Sequence, residues 1–127
     1  MNPVASAADA RQPTRTIALS VDNQLRFAPD ALAVHVGETI AFQVTNTGTM
    51  PHELVIGDEA VQQAHELEMA SGNGMAMGGD AAYAVQIPSG QTATLVYTFG
   101  KPGTLIYGCH VPGHYTAGMR GTITVEQ

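Results

Sequence analysis

Apolar and polar residues alternate in short runs along most of this chain, and Gly, Pro and Asn punctuate the runs. Thr16-Ile17-Ala18-Leu19-Ser20-Val21 carries an apolar side chain at nearly every second position. The run from Thr39 to Thr45 does the same, with Ile40, Phe42 and Val44 on one face. Successive strand residues point to opposite faces, so a period of two predicts half-buried strands. Further runs rich in Val, Ile and Thr cover 31–36, 52–56, 83–87, 92–99, 104–107 and 121–125, with a shorter piece at 25–27 that stops at Pro29. Gly37-Glu38 is a turn signal after one of them. Many short strands at this spacing predict an antiparallel sandwich or barrel.

One segment departs from that pattern. From Asp58 to Ala70 the only β-branched residue is Val61, and most of the others are good helix formers. Asp58 suits the N-cap, and Glu59 suits the positive end of the helix dipole. Ser71-Gly72-Asn73-Gly74 would end the helix, and a Gly/Met loop follows to Asp80. Residues 1–15 are rich in Ala, Pro, Asn and Gln without periodicity, which predicts a flexible tail. That leaves 16–127 as a single domain carrying an insert at 57–82.

Composition narrows the function. A chain of 127 residues supports one core, and 44% hydrophobic against 13% charged residues argues against disorder. The net charge is −6, and from residue 16 onward three basic residues face ten acidic ones. Phosphate binding needs a cationic footprint, so nucleic acid is excluded as the expected partner. A metal cation or a cationic protein suits this charge better. No stretch is apolar and long enough to predict a membrane span. The N-terminus lacks a charged segment followed by an apolar core. The expectation is an exported, periplasmic chain whose signal peptide is absent from this sequence, although the sequence alone also permits a cytosolic protein.

The candidate chemistry lies near the C-terminus. Cys109 is the only cysteine, so no internal disulfide forms, and an unpaired thiol in an exported protein needs a use. His114 stands five positions after it and Met119 five further on. Thiolate, imidazole and thioether are soft or borderline donors, and two histidines with one cysteine and a distant axial methionine define a blue copper site. Met50-Pro51-His52-Glu53 offers the second histidine at the entrance to an apolar run. Other uses of these residues remain open at this point. Cys109 alone could be an inert buried thiol. Zinc accepts Cys and His but rarely Met. A Cys–His nucleophile would need an oxyanion hole that nothing here suggests. A binuclear copper centre would need a second cysteine.

The stretch Cys109-x4-His114-x4-Met119, with Pro112-Gly113 in the first gap and Gly118 before the methionine, resembles the ligand loop of the cupredoxins. Its spacing is most similar to that of rusticyanin, and Pro51-His52 resembles the family's upstream ligand segment. The likeness runs from about Thr16 to Glu126. The segment between His52 and Tyr83 is more similar to that of the small periplasmic cupredoxins associated with copper tolerance. The resemblance implies an antiparallel Greek-key β-sandwich of seven or eight strands with a short helical insert at about 58–70. It implies one type 1 copper held by His52, Cys109, His114 and axial Met119, and no substrate turnover. Two roles fit: one-electron transfer or copper binding in copper tolerance, or a dedicated electron shuttle. A non-redox metal-binding module is the third reading. His114 would be the electron port to a redox protein, through an apolar patch of Met50, Val111, Pro112 and Ala117 on a monomer.

Residues beside the ligands carry further expectations. Many cupredoxins follow the first histidine with Asn or Ser, whose side chain ties the two ligand segments together. Here Glu53 takes that place, between Pro51-His52 and the strand, and is expected still to link them. His110 should face away from the metal, because adjacent strand residues alternate. His35 reads as a surface histidine. In the insert, His65 and Met69 share a helix face and Met75 and Met77 follow, a set that would suit Cu(I) as an auxiliary site. The alternative is that Met69, like Leu67, packs on the sandwich.

Overall fold

A computed structural model describes residues 6–7, 13–70 and 83–127. Two five-stranded sheets pack face to face. One has the order β1 (Ser6–Ala7), β8 (Thr92–Thr98), β5 (Thr39–Asn46), β2 (Arg15–Val21), β3 (Phe27–Ala28). The other has the order β4 (Ala31–His35), β10 (Arg120–Glu126), β9 (Gly103–Gly108), β6 (His52–Gly57), β7 (Ala84–Ile87). Among the described residues eight strands have four or more residues, and β1 and β3 have two each. Arg15 already belongs to β2, the Thr14 amide donates to the Thr39 carbonyl, and Ser6–Ala7 pairs with β8. The rest of the expected tail lies outside the described residues.

Alternation places the core where the pattern put it. Leu19 and Val21, Ile40, Phe42 and Val44, and Ala93 and Leu95 turn inward from one sheet. Leu54 and Ile56, Val85 and Ile87, Tyr107, and Ile123 and Val125 meet them from the other. Full burial of a side chain the size of Phe42 or Ile40 is worth about 1.5–3 kcal/mol, so this interlayer carries most of the fold. Edge-to-face aromatic pairs, Phe42–Phe99 at 6.2 Å and Phe27–Tyr107 at 5.1 Å, fill it. The buried Tyr107 hydroxyl donates to the Pro29 carbonyl at 2.6 Å.

Pairing direction is less uniform than expected. β2 runs parallel to β5, and β10 parallel to β4, within an otherwise mainly antiparallel sandwich. The chain leaves one sheet after β3, forms β4 in the other, and returns for β5. Strands that meet after such a crossing can run the same way. A period of two reports which face is buried, not which neighbour a strand joins.

β6 is buried at every position, because both of its faces are covered. The inner face meets the core, and α1 (Glu59–Ala70) lies over the outer one. α1 begins as the sequence indicates. The Asp58 carboxylate accepts a hydrogen bond from the Val61 amide at 3.0 Å, a cap worth about 1 kcal/mol. His65 and Met69 do share a face, and that face is turned onto the sheet. Leu67, expected to pack, is instead 72% exposed.

Candidate metal centre

The segment between β9 and β10 is held by its own main chain. The His114 amide donates to the Val111 carbonyl at 2.9 Å, and Gly113 has φ 88°. Proline second and glycine third is the arrangement a type II turn needs, as Pro112-Gly113 suggests. A helical turn follows and ends at Gly118, φ 102°, with the Met119 amide returning to the His114 carbonyl at 3.1 Å. The Cys109 amide donates to the Met119 carbonyl at 3.2 Å and closes the loop at its base. His52 opens β6. The segment before it is pinned by Asn46, whose amide donates to the carbonyls of Met50 and Ile87 at 2.9 and 3.0 Å.

These two segments meet. One donor atom each from His52, Cys109 and His114 lies within 4.8 Å of the others. The sulfur is 3.9 Å from His52 Nδ1 and 3.5 Å from His114 Nδ1. The two rings are 5.0 Å apart between centroids. His52, Cys109 and Met119 are fully buried and His114 is 7% exposed. Met119 belongs to the same apolar cluster as Cys109. Of the residues expected to form an apolar patch, Pro112 and Ala117 are exposed, while Met50 and Val111 are half-buried.

Electrostatics fits this donor set to a soft cation. Burial lowers the pKa of His52, helped by His114, while the Asp22 main chain opposes it. Burial alone lowers that of His114. Both rings are therefore neutral at pH 7, with lone pairs to share. Burial pushes the Cys109 thiol up to about 12. The main-chain amides of Val111 and Glu53 pull the other way, favouring the thiolate, and the Glu53 and Glu66 charges add to the rise. A proton must leave when a cation binds. Two neutral imidazoles, a buried thiol and a buried thioether at one end of the sandwich fit one copper ion.

The other face of the same strands is polar. Glu53, fully buried, accepts from the His110 amide at 3.1 Å, from Gln86 at 2.9 Å and from His65 Nε2 at 2.9 Å. The expected link between the two segments is thus made by its carboxylate. His110 does face away from the donors and is fully buried. Its ring nitrogens contact Gln62 Oε1 and Glu66 Oε1, each at 2.6 Å, and its ring stacks on Tyr115 at 4.3 Å. Gly108 makes room for this: a Cβ there would lie 2.7 Å from the Tyr115 ring and 2.9 Å from Gln62 Oε1. The hydrogen bond His65 donates to Glu53 raises its pKa against its burial. Burial lowers that of His110 against the pull of Glu66.

The insert residues are placed differently from the expectation of an auxiliary site. His65 is engaged by Glu53, and Met69, 2% exposed, packs beneath α1. Met75 and Met77 lie outside the described residues. His35 sits on the surface beside Glu38 and Glu126. Pro51 is exposed beside His52. Gln62 and Gln86, and the contact of Glu66 with His110, escaped the sequence reading. The signal was present in part, since 62, 65, 66 and 69 form one helical stripe, but a stripe mostly of polar residues reads as a solvent face.

The model of the copper-binding proteins of the plastocyanin/azurin family matches residues 16–126, and the chain belongs to that family of small electron-transfer and copper proteins, which are not enzymes. Among its relatives is the copper-resistant cuproprotein CopI of Rubrivivax gelatinosus, 33% identical over 98% of this chain and 74% of the relative. The CopI protein of Pseudomonas aeruginosa is 34% identical over 94% of this chain and 80% of the relative. Auracyanin B shares the fold, with a TM-score of 0.79 at 24% identity over 99% of this chain and 97% of its own. Among the described residues no helix is long and apolar enough to cross a membrane.

Proposed function

We propose that this chain holds one type 1 copper through His52, Cys109, His114 and axial Met119, and serves periplasmic copper tolerance by one-electron cycling and copper binding. The observation that carries this reading is the meeting of His52 with Cys109 and His114, across fifty-seven residues of sequence, at one buried point. Bound copper supplies a Cu(II)/Cu(I) couple, and thiolate, imidazole and thioether suit both states. The residues do the rest. The sandwich fixes His52 and the base of the loop, so little need move between the two states. Burial of Cys109 and Met119 excludes water from the sulfur donors. His114 alone of the four is not fully buried, and its main chain bonds to Val111 and Ala117, beside exposed Pro112; with Met50 these would form its apolar rim. A small apolar rim of this kind suits a brief encounter with a redox protein. The copper-resistance names of the two CopI relatives support the tolerance role.

Absorption and EPR spectra of the copper-loaded protein test the site. An intense visible band with one copper per chain is expected, lost in Cys109→Ser. A colourless copper-loaded protein would instead support a non-redox metal-binding module. Growth of a deletion strain on copper tests the role. Unimpaired growth on copper together with a defect in electron transport would favour a dedicated shuttle.

A further inference from the structure

The geometry points to α1 as the positioning element of the copper site: Gln62, His65 and Glu66 hold Glu53 and His110, the chain neighbours of His52 and Cys109. This inference rests on the copper reading above. β6 and β9 are laddered as far as Val55–Gly108. Continued by the same register, Glu53 would stand opposite His110. There the connection is made by the Glu53 carboxylate on the His110 amide at 3.1 Å. Hence the strands are tied just where they turn their alternate side chains, His52 and Cys109, toward the metal.

That tie is itself held from α1 and β7. His65 Nε2 and the Gln86 amide each reach Glu53 Oε2 at 2.9 Å, which fixes the carboxylate plane. The Gln62 amide donates to the carbonyls of Val55 on β6 and Ile106 on β9, both at 3.0 Å. With its nitrogen so committed, Gln62 presents its oxygen, and His110 Nε2–H donates to it. Glu66 Oε1 lies 2.6 Å from the opposite ring nitrogen, and Tyr115 covers the ring face. The His110 ring is thus enclosed on two edges and one face. Cys109 and His110 share a peptide unit, so fixing one limits the direction in which the other points its Cα–Cβ bond. Groups that orient ligands from behind typically change metal affinity by about 10–100-fold when removed.

The test compares His65→Ala and Gln62→Ala with His65→Gln, which keeps a donor for Glu53, and with Leu67→Gln on the exposed face of α1. Two readouts are needed: visible and EPR spectra with the reduction potential of the copper-loaded protein, and amide exchange at His110 in the copper-free protein. The expected result is a shifted visible band and potential, and His110 exchange faster by about tenfold, in both alanine variants. His65→Gln should restore most of each, and Leu67→Gln should change neither. Folded alanine variants with unshifted spectrum, potential and His110 exchange would overturn the proposal. Where His65→Ala does not fold, Glu66→Gln carries the same test, because Glu66 is partly exposed. If the parent chain binds no copper, the functional reading falls. Exchange at His110 in the copper-free variants then decides the positioning role by itself, supporting it if faster and ending it if unchanged.

Discussion

The two faces of β6 and of the strand end at Cys109–His110 are both buried, yet they are built on opposite rules. On the inner face His52 and Cys109 meet apolar residues, and their donor atoms approach chiefly one another and His114. On the outer face Glu53 and His110 are enclosed by polar partners from α1 and β7 and by each other. Neighbours in sequence therefore serve different purposes. The inner set has its lone pairs available for a cation, and the outer set has them spent on internal structure. A site of this kind needs both, because donors left open to a cation keep their positions only if something behind them is fixed.

Substitutions should expose that division. The largest effect is expected from Cys109→Ser: the visible band disappears, while the unfolding midpoint of the copper-free protein shifts by only about 1 kcal/mol in stability. Glu53→Leu should do the reverse. It takes the acceptor away from His65 and the His110 amide, and should cost about 3–5 kcal/mol in denaturant unfolding of the copper-free chain. Equal stability losses for the two variants would break the comparison. Gly108→Ala, which pushes a methyl between Tyr115 and Gln62, should cost about 1–3 kcal/mol. A smaller effect concerns pH. His65 has a raised pKa in the folded protein, so its pairing with Glu53 stabilises fully below the unfolded value of about 6.5 and is lost as pH rises through the folded value. His65→Gln should flatten that slope in melts of the copper-free protein. The smallest effect belongs to a pair outside both regions. Arg15 and Glu38 are joined at 2.9 Å on the surface, and Arg15→Ala should cost under about 1 kcal/mol.

Much of the inner face was legible in the sequence. Cys109, His114 and Met119 lie on one short loop, so their spacing encodes their geometry, and Pro112-Gly113 encodes its turn. The strands declared themselves through period two, and Asp58 through its place before a run of helix formers. The outer face was legible only at Glu53 and at the orientation of His110. Gln62, Glu66 and Gln86 gain their meaning from where α1 docks and which strands adjoin, and polar residues carry no periodic mark of burial. The parallel pairings of β2 with β5 and β4 with β10 escaped for a related reason, since side-chain alternation is blind to strand direction.

The hydrogen bond from the Cys109 amide to the Met119 carbonyl has a consequence for assembly. Three of the four donors sit within one locally closed loop between strands that pair as a hairpin, whereas His52 must be brought in from fifty-seven positions away. Loop-closure entropy grows only slowly with length, by about 0.6 kcal/mol per doubling, but it still orders the events. A half-folded chain can offer a copper ion the hairpin's three groups before the fourth arrives. Completion of the tetrad then reports that β6 has joined the β9–β10 hairpin within its sheet, and the colour of the bound ion becomes a clock for that step.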